Sequence, residues 1–101
     1  MVTRPAADPF GALADPTRRQ ILELLWAGDE LTAGAIAGHF RGLSRPAVSK
    51  HLGVLRGGGL VRVRRQGRLR YYAVDPRSLL AVDAWLQRYR SSWQRRLFVA
   101  A

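Results

Sequence analysis

The sequence contains no cysteine. That excludes disulfides, thiolate metal sites and cysteine nucleophiles together, and it fits a reducing compartment. No apolar run is long enough to cross a bilayer, and the start carries no charged-then-apolar signal segment. The expectation is a cytoplasmic protein with no membrane partner. Only two histidines occur, His39 and His51. A nucleophile, a base and an orienting group are hard to assemble from so few candidates, and the acids show no paired arrangement for general acid–base work. The run Gly57-Gly58-Gly59 ends a helix and enters a strand, the reverse of a phosphate-cradling loop. Neither an enzyme nor a cofactor is expected. Two histidines on different helices with no indicated partner give no zinc site.

The most informative absence is local. Residues 41–74 hold no acid, yet they hold Arg41, Arg45, Lys50, Arg56, Arg62, Arg64, Arg65, Arg68 and Arg70, a net of +9. Residues 1–40 carry −2 and residues 75–101 carry +3, within a total of +10. Solvated surface usually mixes signs, so this block asks for an anionic partner, and nucleic acid leads. Arginine outnumbers lysine sixteen to one. A compositional bias explains that ratio but not the missing acids.

What is present reads as one domain. With 101 residues the chain is short, and a domain of that size buries only about two thirds of its unfolded surface, so pairing with a second copy helps it. The apolar share of 48% supports a packed core. Residues 1–7 read as a flexible tail and 8–101 as a single domain. Asp8-Pro9 and Asp15-Pro16 each pair a cap with a first helical residue. Phe10, Leu13 and Ala14 are expected to form the apolar side of a short first helix. The second runs to about Ala27, with Gly28 as its stop. Thr32 caps a third helix that points Ile36, Ala37 and Phe40 inward. Ser44 caps a fourth, with Val48, Leu52 and Leu55 as its buried stripe. Leu60 to Arg65 and Arg68 to Val74 then alternate in twos, which predicts a hairpin turning at Gln66-Gly67. Asp75-Pro76 opens a last helix over 76–99, in which Leu79, Val82, Leu86, Tyr89, Trp93 and Leu97 follow near-heptad spacing.

The stretch SRPAVSKHL, 44–52, sets apolar residues against Arg45, Ser49, Lys50 and His51. Its polar side is either solvated surface or a docking face. The element order settles the choice: two helices, a helix–turn–helix, a two-stranded wing and a long helix. ALADPTRRQILELL (12–25), ELTAGAIAGHF (30–40) and SRPAVSKHLGVLRGGGLVRVRRQGRLRYYAV (44–74) resemble the ArsR/SmtB family of bacterial transcriptional regulators. The resemblance implies a mainly α fold with a small β-hairpin, a winged helix–turn–helix whose first and last helices dimerise. It implies a homodimer whose helix from Arg45 to Arg56 enters the major groove. The expected function is that of a sequence-specific regulator of double-stranded DNA with a partly palindromic operator, acting as a repressor by occluding a promoter, with activation left open. A winged-helix module for protein or RNA contact is the alternative.

Candidate DNA-binding residues follow from the chemistry of groove reading. Arg45 suits a bidentate guanine contact, and Ser49 and His51 suit a second base or a phosphate. Ser44, Lys50 and Arg56 suit phosphates. In the wing, Arg64, Arg65, Gln66, Arg68 and Arg70 are candidates, with Arg68 foremost. The competing reading of His51 is a buried histidine bonded to a neighbour. Tyr71 and Tyr72 read as core rather than as base-stacking groups, and Trp85 and Trp93 as a packed interface rather than a ligand pocket. The expected dimer face comprises Phe10, Leu13, Leu79, Val82, Leu86, Tyr89, Trp93 and Leu97.

Two departures from the family matter. Its arsenic and cadmium sensors carry cysteines near the start of the third helix, where Thr32 and Gly34 stand here. Its zinc-type sensors carry Asp and His one residue apart on the last helix, whereas Asp83 is followed by Ala84 and Trp85, and no histidine follows His51. No metal is therefore expected. An unknown small apolar molecule, a protein partner, or no effector at all remain open.

Overall fold

Side chains placed one residue ahead of each short helix hold its first turn. The computed structural model describes residues 8–28 and 30–98. The expected tail, 1–7, and the expected helix end at residue 99 lie outside them. Asp8 Oδ1 accepts from the Gly11 amide at 3.1 Å and starts α1, Pro9–Leu13. Asp15 does the same for α2, Pro16–Ala27, through the Arg18 amide at 3.0 Å. Thr32 caps α3, Ala33–Ala37, and Ser44 caps α4, Arg45–Gly57. Each cap satisfies an amide that a helix start leaves without a partner. Two arginines of α2 serve the other end of α1. Arg18 donates to the carbonyls of Ala12 and Gly11, and Arg19 donates to that of Leu13.

The apolar side expected of α1 is split. Pro9 and Ala12 face the core, Leu13 is half-buried, and Phe10 and Ala14 are exposed. Close packing limits what fits on the inward side. A Cβ added to Gly58, at the end of α4, would lie 2.7 Å from the Ala12 Cβ and 3.0 Å from the Asp8 carbonyl oxygen. Only small groups fit there, so Phe10 turns outward.

The three glycines that end α4, Gly57 to Gly59, have separate duties. Gly59 adopts φ +75°, and the Gly59 and Leu60 amides reach back to the Arg56 and Leu55 carbonyls, both at 2.9 Å. This is a Schellman ending, with Leu60 folded onto Leu55. Gly58 makes room for α1, and Gly57 faces open space. Gly59→Ala should therefore cost about 1–2 kcal/mol and Gly58→Ala about 1–3 kcal/mol. Gly57→Ala should be neutral or stabilising. Urea unfolding of the three variants checks the order, and equal midpoints would contradict it.

The wing consists of β1, Val61–Gln66, and β2, Leu69–Val74, paired antiparallel from Val61↔Val74 to Gln66↔Leu69. The turn is thus Gly67-Arg68, one residue later than expected. Gly67 has φ +61°, and no described non-glycine residue has positive φ. That combination suits a type II′ turn, which takes glycine first. Gln66 is consequently paired in the strand. Leu31 adds a short third partner, exchanging amide bonds of 3.0 and 2.8 Å with Tyr72.

Asp75 closes this layer. Its amide donates to the Leu60 carbonyl at 2.8 Å, and its carboxylate accepts three bonds from Arg77. The Arg77 guanidinium, and then its backbone amide, lower the Asp75 pKa to about 2. These bonds draw Pro76–Ser78 into a 3₁₀ turn, so the last helix proper, α5, is Leu79–Phe98 rather than starting at residue 76. The core lies among α2, α3, α4 and the wing base. Its fully buried members are Ile21, Ile36, Val48, Leu52, Leu55 and Leu60. The stripe expected on α4 is there, whereas α5 buries no residue at all.

Candidate nucleic-acid interface

Residues 45, 49 and 56 recur on one side of α4 because the helix advances 3.6 residues per turn. Arg45, Ser49 and Arg56 there meet Arg68 and Arg70 of the wing around a groove of about 310 Å³. No acid lines it. The Arg45 guanidinium passes 3.8 Å from where a Cβ on Gly34 would stand, so α3 leaves space for it. Across the strands Arg65 and Arg70 are direct partners. Like charges so placed repel, and an anion between them removes the penalty.

The outer side of α4 complements the groove. Lys50 is exposed there, and Cβ atoms added to Gly53 and Gly57 would meet nothing within 4 Å. A helix with so little bulk outside can lie close to a base-pair edge. Ser44 Oγ accepts the Ala47 amide at 3.2 Å. Its hydroxyl proton is still free to donate to a phosphate.

Other candidates lie elsewhere. His51 is half-buried near Asp15 and is not among the residues that line the groove. The Asp15 carboxyl is held below its ordinary value first by the Arg18 amide, and also by the charges of Arg18 and His51. Arg64 and Gln66 project from the other face of the hairpin. Arg64 Nε lies 2.9 Å from both Glu30 oxygens, and Nη1 donates to Gln66 Oε1 at 2.7 Å. The guanidinium also sits 4.8 Å from the Tyr71 ring centroid. These contacts tie the wing to the body ahead of α3. A cation engaged in this way releases no counterion from DNA. Arg64→Gln should therefore leave the slope of log affinity against log salt unchanged, while Arg68→Gln should reduce it by about one. A slope change with Arg64→Gln would make it a phosphate contact.

Two groove residues were not foreseen from the sequence. Thr32 and Leu69 line the groove, and Leu69 is 47% exposed at the tip. An apolar residue between two turn arginines was the only hint of the latter. Trp85, expected in a packed interface, stands among exposed aromatics. Phe10 meets it edge-on with ring centroids 6.0 Å apart, and Trp85 is 5.2 Å from Tyr89. This cluster continues the exposed row Leu86, Tyr89, Trp93 and Leu97 along α5. Val82 is half-buried, and Leu13 and Leu79 pack on the chain's own core. Tyr72 also packs on that core, and Tyr71 is half-buried beside Arg64.

Among the described residues, no three His, Cys, Asp or Glu side chains gather where a metal ion could be held. No described helix is long and apolar enough to cross a membrane.

Residues 13–64 match a family described as a helix–turn–helix domain. The transcriptional repressor SdpR of Bacillus subtilis is 42% identical over 77 residues, spanning 76% of this chain and 83% of the repressor. A crystal structure of an ArsR family transcriptional regulator superposes with TM-score 0.74 at 37% identity, covering 85% of this chain and 87% of that one. The homodimeric winged helix–turn–helix DNA-binding domain from Mycobacterium bovis, a possible ArsR-family regulator solved by NMR, gives TM-score 0.64 at 31% identity. It covers 92% of this chain and 84% of its own.

Proposed function

This chain belongs to the ArsR family of winged helix–turn–helix transcriptional regulators, and from that premise we propose that it is a cytoplasmic homodimeric repressor of a partly palindromic operator. One observation carries the reading. Arg45 and Arg56 of α4 and Arg68 and Arg70 of the wing converge on one acid-free groove, which matches the charge of a phosphate backbone beside the helix that reads bases. Arg45 and Ser49 are the base readers. Ser44, Lys50, Arg56, Arg65, Arg68 and Arg70 hold phosphates. Arg64 and Gln66 position the wing.

The exposed row on α5, with Phe10 and Trp85, forms the contact with a second copy. Two-fold symmetry then sets two α4 helices into successive major grooves about 34 Å apart. Occlusion of a promoter by such a dimer represses without further contacts. No metal takes part, because the cysteine and histidine positions of the family's sensors hold other residues.

The test is fluorescence anisotropy with a duplex from upstream of the protein's own gene, against a scrambled duplex, over a salt series with and without chelator. The expected result is tighter binding to the native duplex, a steep fall with salt and no chelator effect. No duplex binding at low salt would favour a protein- or RNA-contact module.

A further inference from the structure

Trp26 stands 62% exposed at the end of α2. It lies outside both the DNA groove and the exposed row of α5, and it borders two hollows. The larger, about 420 Å³, opens between the end of α2 and the base of the wing. Leu25, Val74 and Pro76 give it apolar walls, and Arg62 and Glu30 bring charge. The smaller, about 210 Å³, lies on the other side of Trp26, against Leu22 and Leu79.

The two charged groups of the larger hollow are not equivalent. Glu30 is engaged, with both oxygens 2.9 Å from Arg64 Nε. Among the described residues no carboxylate lies within ion-pair distance of Arg62. Asp75 feels its charge but is held by Arg77. The hollow therefore offers an indole face, aliphatic walls and one available guanidinium. A volume of this order takes a small ligand, and the pairing of aromatic surface with a guanidinium selects a flat apolar body bearing a carboxylate.

We propose that this hollow is a binding site for a small aromatic carboxylic acid, stacked on Trp26 and ion-paired to Arg62, and that its occupation changes DNA affinity. The second half rests on the DNA-binding reading. The coupling runs through β1, which carries Arg62 at its base and Arg65 toward its tip. A molecule wedged between α2 and the wing base alters the angle of the wing to α4, and so the spacing of the arginines around the groove.

The experiment is calorimetric titration of the full chain with 2-naphthoate, with 2-naphthalenemethanol as the uncharged control. Wild type, Arg62→Gln and Trp26→Ala are compared. Both residues are exposed, and circular dichroism checks that the variants fold. Naphthoate should bind about tenfold more tightly than the alcohol, the margin of one charge-assisted contact. Arg62→Gln should abolish that margin, and Trp26→Ala should weaken both probes. No binding at millimolar naphthoate, or equal binding by all three proteins, overturns the site. Anisotropy with the operator duplex supplies a second readout, in which naphthoate should shift wild-type affinity by about fivefold or more and leave Trp26→Ala unmoved. Binding without that shift overturns the coupling. A chain that binds no duplex even without naphthoate contradicts the DNA-binding reading instead, and the calorimetry still decides the site.

Discussion

Leu86→Arg, or Trp93→Arg, should turn the dimer into monomers and nearly abolish operator binding at concentrations where the wild type is saturated. Helix α5 is twenty residues long and buries none of them in the isolated chain, although Leu86, Tyr89, Trp93 and Leu97 recur along one side of it. A continuous exposed apolar row of this kind marks an interaction surface. An arginine at its centre places a charge without a partner in an apolar contact, a penalty of ~3 kcal/mol or more and so about 100-fold in the dimerisation constant. DNA affinity falls further, because two α4 helices no longer bind as one unit. Sedimentation velocity gives the oligomeric state and anisotropy gives the affinity. Because these residues are exposed in the single chain, the variant should keep its helical circular dichroism. A Leu86→Arg protein that stays dimeric would place the interface on another face.

Arg45→Ala should weaken binding to the cognate duplex by about 1–3 kcal/mol and flatten its preference over a scrambled one. Arg45 is the first residue of α4, and the first turn of a groove-docked helix approaches the bases. Its side chain passes over Gly34, where α3 presents no obstacle. Replacing Arg68 should instead weaken all duplexes alike, since a phosphate contact carries no base information. The comparison needs competition anisotropy with single-base operator variants. Unchanged discrimination in Arg45→Ala would remove it as a base reader and pass that role to Ser49.

Much of this was legible one residue at a time. Asp8, Asp15, Thr32 and Ser44 announce helix starts because a side chain that caps an amide does so within three residues, a purely local geometry. The stripe of Val48, Leu52 and Leu55 follows from helical spacing and an apolar preference. The hairpin followed from alternation, but its turn was displaced by one position. Alternation alone does not say which residue must take positive φ, and Gly67 decided it.

The close approach of α1 to α4 and the start of α5 were not legible, for the same reason. Each depends on partners far along the chain. Ala12 comes so near Gly58 that a Cβ there would clash, and Pro76–Ser78 winds tightly because Asp75 is held between Leu60 and Arg77.

The candidate site divides in the same way. An acid-free run with nine basic residues is a property of composition, and it pointed to an anionic partner without any coordinates. Which of those cations face the partner is a property of register. Strand pairing sets Arg65 against Arg70, while the bonds that Arg64 donates to Glu30 and Gln66 hold it on the opposite face. The sequence by itself therefore determined the fold, the helix caps and the charge that calls for DNA, because each depends on near neighbours or on sums. The tertiary structure alone decided which arginines share a groove and that Trp26 and Arg62 border one hollow, because those pairings join residues that only folding brings within reach.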